Sequence, residues 1–202
     1  MTTRLRSALI LIICLLCVQS SWSASRACHS LYHQTSSLTV LVQDLNLLST
    51  QRGYYSGHLN NGQLVFIKIP RNPESLASEA AWLTRLNGLG LGPRYHGTTM
   101  LEGKRALVMD FVPGAITQFP MAAPADIVLT PGMIREMKRQ VNILYENQIW
   151  PLDLQFIVNQ KRQVVITDPE LFKLNSSYTK EDYDKILTQI LILWKMDDRI
   201  ID

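Results

Sequence analysis

The sequence predicts a minimal α+β fold in two lobes: a small antiparallel sheet carrying one helix, then a mainly helical lobe. Three observations predict it. Short strand-like runs separated by Asn-, Gly- and Pro-containing turns occupy residues 54–111. Two stretches in the second half, 131–148 and 180–196, repeat apolar residues at helical spacing. Lys68, Glu79, Asp153 and Asp168 are single charges that lie in, or directly follow, such elements.

The first 27 residues are a different material from the rest. Arg4 and Arg6 precede an apolar core from Ala8 to Val18, and small and polar residues follow from Gln19 to Ala27. That is the order of a secretory signal peptide. Eleven apolar residues are few for a bilayer span. Cleavage is expected after Ser23 or Ala27, and an uncleaved leader would anchor the chain in a membrane. The alternative is a buried N-terminal helix, which the early arginines and the abrupt polar ending oppose. Arg26 argues against a lipoprotein reading of Ala27-Cys28. The expected organisation is a leader over 1–27 and one domain over 28–202, with an N-lobe at 28–111 and a C-lobe at 112–202. Its final setting is exported: periplasmic, extracellular or in the secretory pathway.

The elements follow in order. Residues 28–48 run from polar to apolar, and Leu38 to Leu48 reads equally as helix or strand. Tyr54–Leu59 and Gln63–Ile69 read as a hairpin around Asn60-Asn61-Gly62, since Asn and Gly tolerate positive φ. Pro70 stops the second strand. Asn72-Pro73 opens a helix, Leu76, Ala80, Leu83 and Leu86 give it an apolar face, and Gly88, Gly90 and Gly92 end it. Arg94–Thr98 and Arg105–Phe111 form a second strand pair, broken by Val112-Pro113-Gly114. Residues 115–130 read as a loop or short helix. Thr130-Pro131 starts a helix with Ile134, Met137, Val141 and Leu144 on one face. Phe156–Val158 and Val164–Thr167 are strands. The last helix, 180–196, buries Tyr183, Ile186, Leu187, Ile190, Leu191 and Trp194. Trp82, Trp150 and Trp194 are expected in the core.

Composition excludes several functions. The chain has 20 basic and 17 acidic residues, a formal charge of +3. Arg4, Arg6 and Arg26 fall in the leader, so residues 28–202 are balanced at 17 of each sign. No basic field remains for nucleic acid. Cys28 is the only cysteine after the leader, so no internal disulfide is available there. His29, His33, His58 and His96 show no metal-ligand spacing with each other or with Cys28. No Gly-x-Ser-x-Gly elbow and no Walker-type phosphate loop occur. His96 reads as a turn or strand residue.

Taken singly, Lys68 and Glu79 read as surface charges, and Asp153 and Asp168 as turn formers. Their ordered set is more telling. Apolar strands that deliver isolated charges to their ends suit phosphoryl transfer, which is mostly positioning and charge neutralisation. Lys68 lies between Ile67 and Ile69 and would be costly to bury without a partner; Glu79 is a fair one, within about 4 Å.

In order, these motifs resemble the protein-kinase-like superfamily. Phe66-Ile67-Lys68 looks like the strand-three lysine motif, and Ser78-Glu79-Ala80 like the helix-C glutamate. Gly92-Pro93-Arg94-Tyr95-His96-Gly97 is similar to the turn into strand four of bacterial kinase-like proteins. Leu107 to Gly114 looks like strand five and the hinge. Pro151-Leu152-Asp153-Leu154 resembles the catalytic loop, and Ile166-Thr167-Asp168-Pro169-Glu170 falls where the metal-binding Asp-Phe-Gly would be. The resemblance covers about residues 48–196 and suits a small, divergent bacterial kinase-like or pseudokinase protein. It implies ATP and Mg2+ as cofactors and a protein or small hydroxyl compound as substrate. It implies that Lys68 contacts the phosphates, Glu79 orients Lys68, Asp168 holds Mg2+ and Asp153 accepts the substrate proton.

The chain also departs from that pattern. Ser49 to Gly57 offers only Gly53 and Gly57 as phosphate-loop glycines, with Tyr54-Tyr55 between them. Pro151 stands where a histidine is expected, and Glu170 where a glycine is. Asp153 and Asp168 are 15 residues apart, about three short of the family spacing, which moves the second metal-ligand position to Gln155. Glu170 offers a further carboxylate for the metal. Three functions compete: an exported ATP- and Mg2+-dependent phosphotransferase; a weak or inactive pseudokinase acting as a binding or regulatory module; and an export-linked binding protein without the kinase fold, using the apolar Phe119-Pro120-Met121 loop. The altered loops favour the second, as does a leader that carries the chain away from cytoplasmic ATP.

Overall fold

Asn60 and Asn61 with Gly62 at φ +80° turn the chain between β2 (Tyr54–Leu59) and β3 (Leu64–Lys68), as the sequence predicts. The computed structural model describes residues 39–117, 123, 126–175, 177–196, 198 and 200. The leader, Cys28 and the Phe119-Pro120-Met121 loop lie outside the described residues. Among the described residues the architecture is α+β: a five-stranded antiparallel sheet and three α-helices, with two smaller sheets.

The large sheet has the order β1-β2-β3-β5-β4. The run Leu38–Leu48, open between helix and strand in the sequence, contains most of β1 (Val42–Ser49). Gly57 explains why the strand fits: a Cβ there would lie 2.6 Å from Val42 Cγ1 and 2.9 Å from the Gln43 carbonyl. Gly57 therefore serves strand packing rather than phosphate approach. Upstream of β1, the Val40 N–H donates to the Thr98 carbonyl at 2.7 Å, on the opposite edge strand. That strand, β4 (Tyr95–Leu101), and β5 (Lys104–Asp110) turn through Glu102 and Gly103, at φ 52° and 73°. Positive φ at both turn residues is the pattern of a tight hairpin. It carries the ladder three residues beyond the predicted end at Thr98.

Pro73–Ser75 forms a 3-10 turn before α1 (Leu76–Gly88), and Asn72 caps it by accepting from the Glu74 N–H at 3.0 Å. Leu76, Ala80 and Leu83 pack on Leu107 and Met109 of the sheet, with Phe66 alongside. The other sheet face buries Tyr55, Val65, Ile67, Ala106 and Val108. Alternation along β3 thus puts Phe66 and Lys68 on the side that faces α1.

The second part begins beyond Phe111–Gly114. A Cβ on Gly114 would meet the Val158 carbonyl at 2.5 Å, so only glycine lets the linker run this close. The chain continues through β6 (Ala115–Ile116), α2 (Pro131–Glu146), β7 (Ile149–Pro151), β8 (Gln155–Val158), β9 (Val164–Thr167), β10 (Phe172–Leu174) and α3 (Lys180–Met196). Sheets β6-β8-β9 and β10-β7 lie here. Thr130 caps α2 by accepting from the Met133 N–H. The core gathers Met133, Met137, Val141 and Leu144 from α2 with Tyr183, Leu187, Ile190 and Trp194 from α3, and takes in Leu86 and Leu91 from the first part. Ile134, Ile186 and Leu191 are partly buried at its margin, as is Trp82, while Trp150 is buried and stacks on Tyr178. Trp194 donates its indole N–H to the Thr117 carbonyl at 2.6 Å, satisfying the polar atom of a fully buried ring.

Candidate functional site

Lys68 ends β3 on its helix-facing side, and Glu79 lies on the stripe of α1 that meets the sheet. Their pairing follows from that placement: Nζ to Oε1 is 2.7 Å, with Lys68 6% and Glu79 1% exposed. Lys68 is held from a second direction by Asp168, at 2.5 Å, and Glu170 approaches it at 3.7 Å. Burial alone would lower the Lys68 ammonium; the Glu79 and Asp168 carboxylates outweigh it and hold its pKa above the ordinary lysine value. Burial pushes the Glu79 carboxyl up to about 7, against the pull of Lys68.

Asp168 follows β9 in a left-handed conformation, φ 52° and ψ 56°. A non-glycine residue there is strained by about 1 kcal/mol or more. Here the charged contact with Lys68 accompanies that strain, and the turn sends Glu170 back toward the same ammonium.

Asp153 and Gln155 come from the β7–β8 connection. Gln155 opens β8 opposite Thr167, the residue before Asp168. It donates its side-chain N–H to Asp153 Oδ2 at 2.5 Å. Lys68, Glu79, Asp153, Gln155, Asp168 and Glu170 all line one cleft of about 430 Å3. The residues to which the sequence assigns phosphate, metal or proton-accepting roles thus line the same cavity.

Tyr54, Phe66, Met109, Phe111, Ile116 and Ile157 give the cleft an apolar part, and its size is in the range of small-molecule sites. Its rim includes Asp110, which accepts from Gln63 Nε2 at 2.7 Å and lies 2.7 Å from His96 Nε2. His96 is a β4 residue that ties the strand to the end of β5, in keeping with a structural role.

Two residues escaped sequence reasoning. Arg52, in the β1–β2 turn, and Arg71, just past β3, both line the cleft and are exposed. Their guanidinium groups suit an anion better than glycine amides alone would. No local pattern marks them, because an exposed arginine in a turn is the commonest reading of that residue. The sequence focused on Gly53 and Gly57 instead; Gly53, at φ +63°, makes the turn itself and accepts from the Ile69 N–H at 2.9 Å.

The acidic groups bear on the metal question. Glu79, Asp168 and Glu170 each offer one oxygen, all within 4.8 Å of one another. The donors are all carboxylate, with no His or Cys among them, which fits a hard cation such as Mg2+. The apolar part of the cleft lies beside these cationic and anionic side chains. No protein-family model matches the chain, and no curated protein matches it, so the functional reading rests on this geometry.

Proposed function

We propose that this chain is an exported, divergent protein-kinase-like protein, two-lobed, that transfers a phosphoryl group from ATP with Mg2+ to a protein or small hydroxyl substrate. The observation that carries the reading is Lys68, buried, paired with Glu79 and aimed at Asp168 in the cleft that also contains Asp153. A lysine shielded from water on three sides by carboxylates is positioned for more than solubility.

ATP would supply the phosphoryl group and Mg2+ the positive charge that neutralises it. The chain's own residues then have distinct tasks. Glu79 orients the Lys68 ammonium toward anionic oxygens. Arg52 and Arg71 add positive charge at the cleft margin. Asp168 supplies the carboxylate for the metal. Gln155, adjacent to Asp153 and paired with Thr167, holds the Asp153 carboxylate in place. Asp153, half-buried, accepts the proton of the incoming hydroxyl.

A second reading, the pseudokinase, has its own support: Gln155 engages Asp153 directly, and Gly57 is consumed by packing against Val42. One experiment separates them. Purified protein is assayed for a thermal shift with Mg-ATP and for phosphate transfer to generic protein and hydroxyl acceptors. Binding with transfer that Asp153→Ala stops, while binding persists, supports the enzyme. Binding without transfer supports the pseudokinase. No shift, with native folding verified, removes the nucleotide and leaves a binding protein.

A further inference from the structure

We propose that the Glu79–Asp168–Glu170 cluster binds one divalent cation in the absence of nucleotide, with Glu170 as a ligand and Lys68 as the cation's internal competitor. The inference deepens the reading above at the same site, but it does not require ATP.

Distance comes first. Oxygen ligands around Mg2+ or Ca2+ sit about 2.0–2.6 Å from the ion, so any two in one shell lie within roughly 4–5 Å of each other. The three carboxylates already place one oxygen each within 4.8 Å of the others. Asp168 and Glu170 share the turn that follows β9, and Glu79 comes from α1. The meeting of that helix with that turn assembles the cluster.

An independent sign is an orphaned atom. Glu79 is 1% exposed, and its Oε1 meets Lys68. Its Oε2 is buried and has no hydrogen-bond partner. A buried carboxylate oxygen normally finds a donor, because leaving it unmatched forfeits its hydration with nothing in exchange. This one belongs to the carboxylate that enters the cluster, where a cation would satisfy it.

Charge gives the third argument. The three carboxylates meet the single ammonium of Lys68, at 2.7, 2.5 and 3.7 Å. Lys68 offsets part of their repulsion and leaves an excess of negative charge. The same position makes Lys68 a rival, since it contacts the Asp168 oxygen that a cation would share. Entry of the ion would shift the ammonium away from Asp168 and toward whatever anion lies in the cleft. Gln155 donates its amide N–H to Asp153 Oδ2, which steadies that carboxylate; the bond does not engage its Oε1, the atom through which an amide binds a cation.

The test uses the purified, nucleotide-free protein and Mn2+ as probe, with free Mn2+ followed by electron paramagnetic resonance. One Mn2+ per chain is expected, displaced by excess Mg2+. Glu170→Gln, at a partly exposed position, should weaken binding at least about tenfold, as loss of a ligand or its support does. Glu181→Gln, an exposed carboxylate of α3 outside the cleft, should leave the affinity unchanged. Lys68→Ala should tighten it, the reverse of its expected effect on Mg-ATP. No Mn2+ retained by the wild type without ATP, or equal affinity in Glu170→Gln, overturns the proposal. Mn2+ that binds only with ATP also overturns it, yet leaves the phosphotransferase reading standing. Mn2+ bound alone with no response to ATP upholds the cation site and sinks the nucleotide.

Discussion

Lys68 and Asp153 line the same cleft and are held in opposite ways. Lys68 is buried, and its ammonium answers to carboxylates from α1, the end of β9 and the turn after it. Asp153 is half-buried and is steadied by a neighbour two residues along the chain, Gln155. Lys68 is tied by charge to distant elements, whereas the Asp153 carboxylate meets the side chain of a near neighbour in sequence. The lesson is that charge at Lys68 belongs to the fold as well as to any ligand, so its substitutions report on stability and function together. At Asp153 the two effects separate.

The comparison breaks most sharply at Lys68. Lys68→Ala leaves Glu79 buried beside Asp168 and Glu170 without a counter-charge. Removing one partner of a buried ion pair costs about 3–5 kcal/mol. Chemical denaturation at neutral pH in the presence of a chelator should show that loss; a cost below 1 kcal/mol would mean the pair is not enclosed as described.

A smaller effect comes from pH. The Glu79 pKa lies at about 7 in the folded chain, against 4.5 ordinarily. Between these values the folded state keeps a proton that the unfolded chain has released. The Glu79 contribution is therefore complete below the unfolded value and is lost as pH rises through the folded one, up to about 3 kcal/mol in all. Denaturation midpoints measured from pH 4 to 8 should fall more steeply for wild type than for Glu79→Gln. Parallel curves would contradict the assignment of the proton.

The Phe111–Gly114 segment offers an intermediate case without charge. Gly114→Ala puts a methyl group 2.5 Å from the Val158 carbonyl and 2.6 Å from Ile157 Cγ2. Overpacking of this kind costs about 1–3 kcal/mol. Gly62→Ala, at an open turn, should cost less, and thermal melts of the two variants would rank them.

The smallest effect is expected at Asp153. Asp153→Ala removes a half-buried hydrogen-bond acceptor and should cost about 1 kcal/mol. A loss as large as that of Lys68→Ala would erase the contrast between the two residues.

Much of this contrast was legible in the sequence. The 60–62 turn, the Asn72 and Thr130 caps and the two long helices follow from local chemistry, and Lys68 between isoleucines required a partner such as Glu79. Other elements lack a local signal. β1 exposes Leu45, Leu47 and Leu48 and pairs with register shifts, so it has no clean alternation to read. β7 and β10 are three residues each, too short for periodicity, and exist because they pair with one another across 20 intervening residues. At the site, Asp168 and Glu170 were recognisable as carboxylates after a strand. Their convergence on Lys68, 100 residues away in the chain for Asp168, is a tertiary fact.

The Val40–Thr98 hydrogen bond has a mechanical consequence. The segment at Thr39 and Val40 runs along β4, one rim of the large sheet, before the chain enters β1 at the other rim. Open strand edges recruit other chains, and here one chain segment covers part of an edge that would otherwise be open. A pull from upstream of residue 39 loads this contact before it loads the apolar interior. Among the described residues the contact is one isolated bridge, so it would peel rather than shear. Traction on the N-terminal side would expose a pairing edge while the cleft around Lys68 stayed intact.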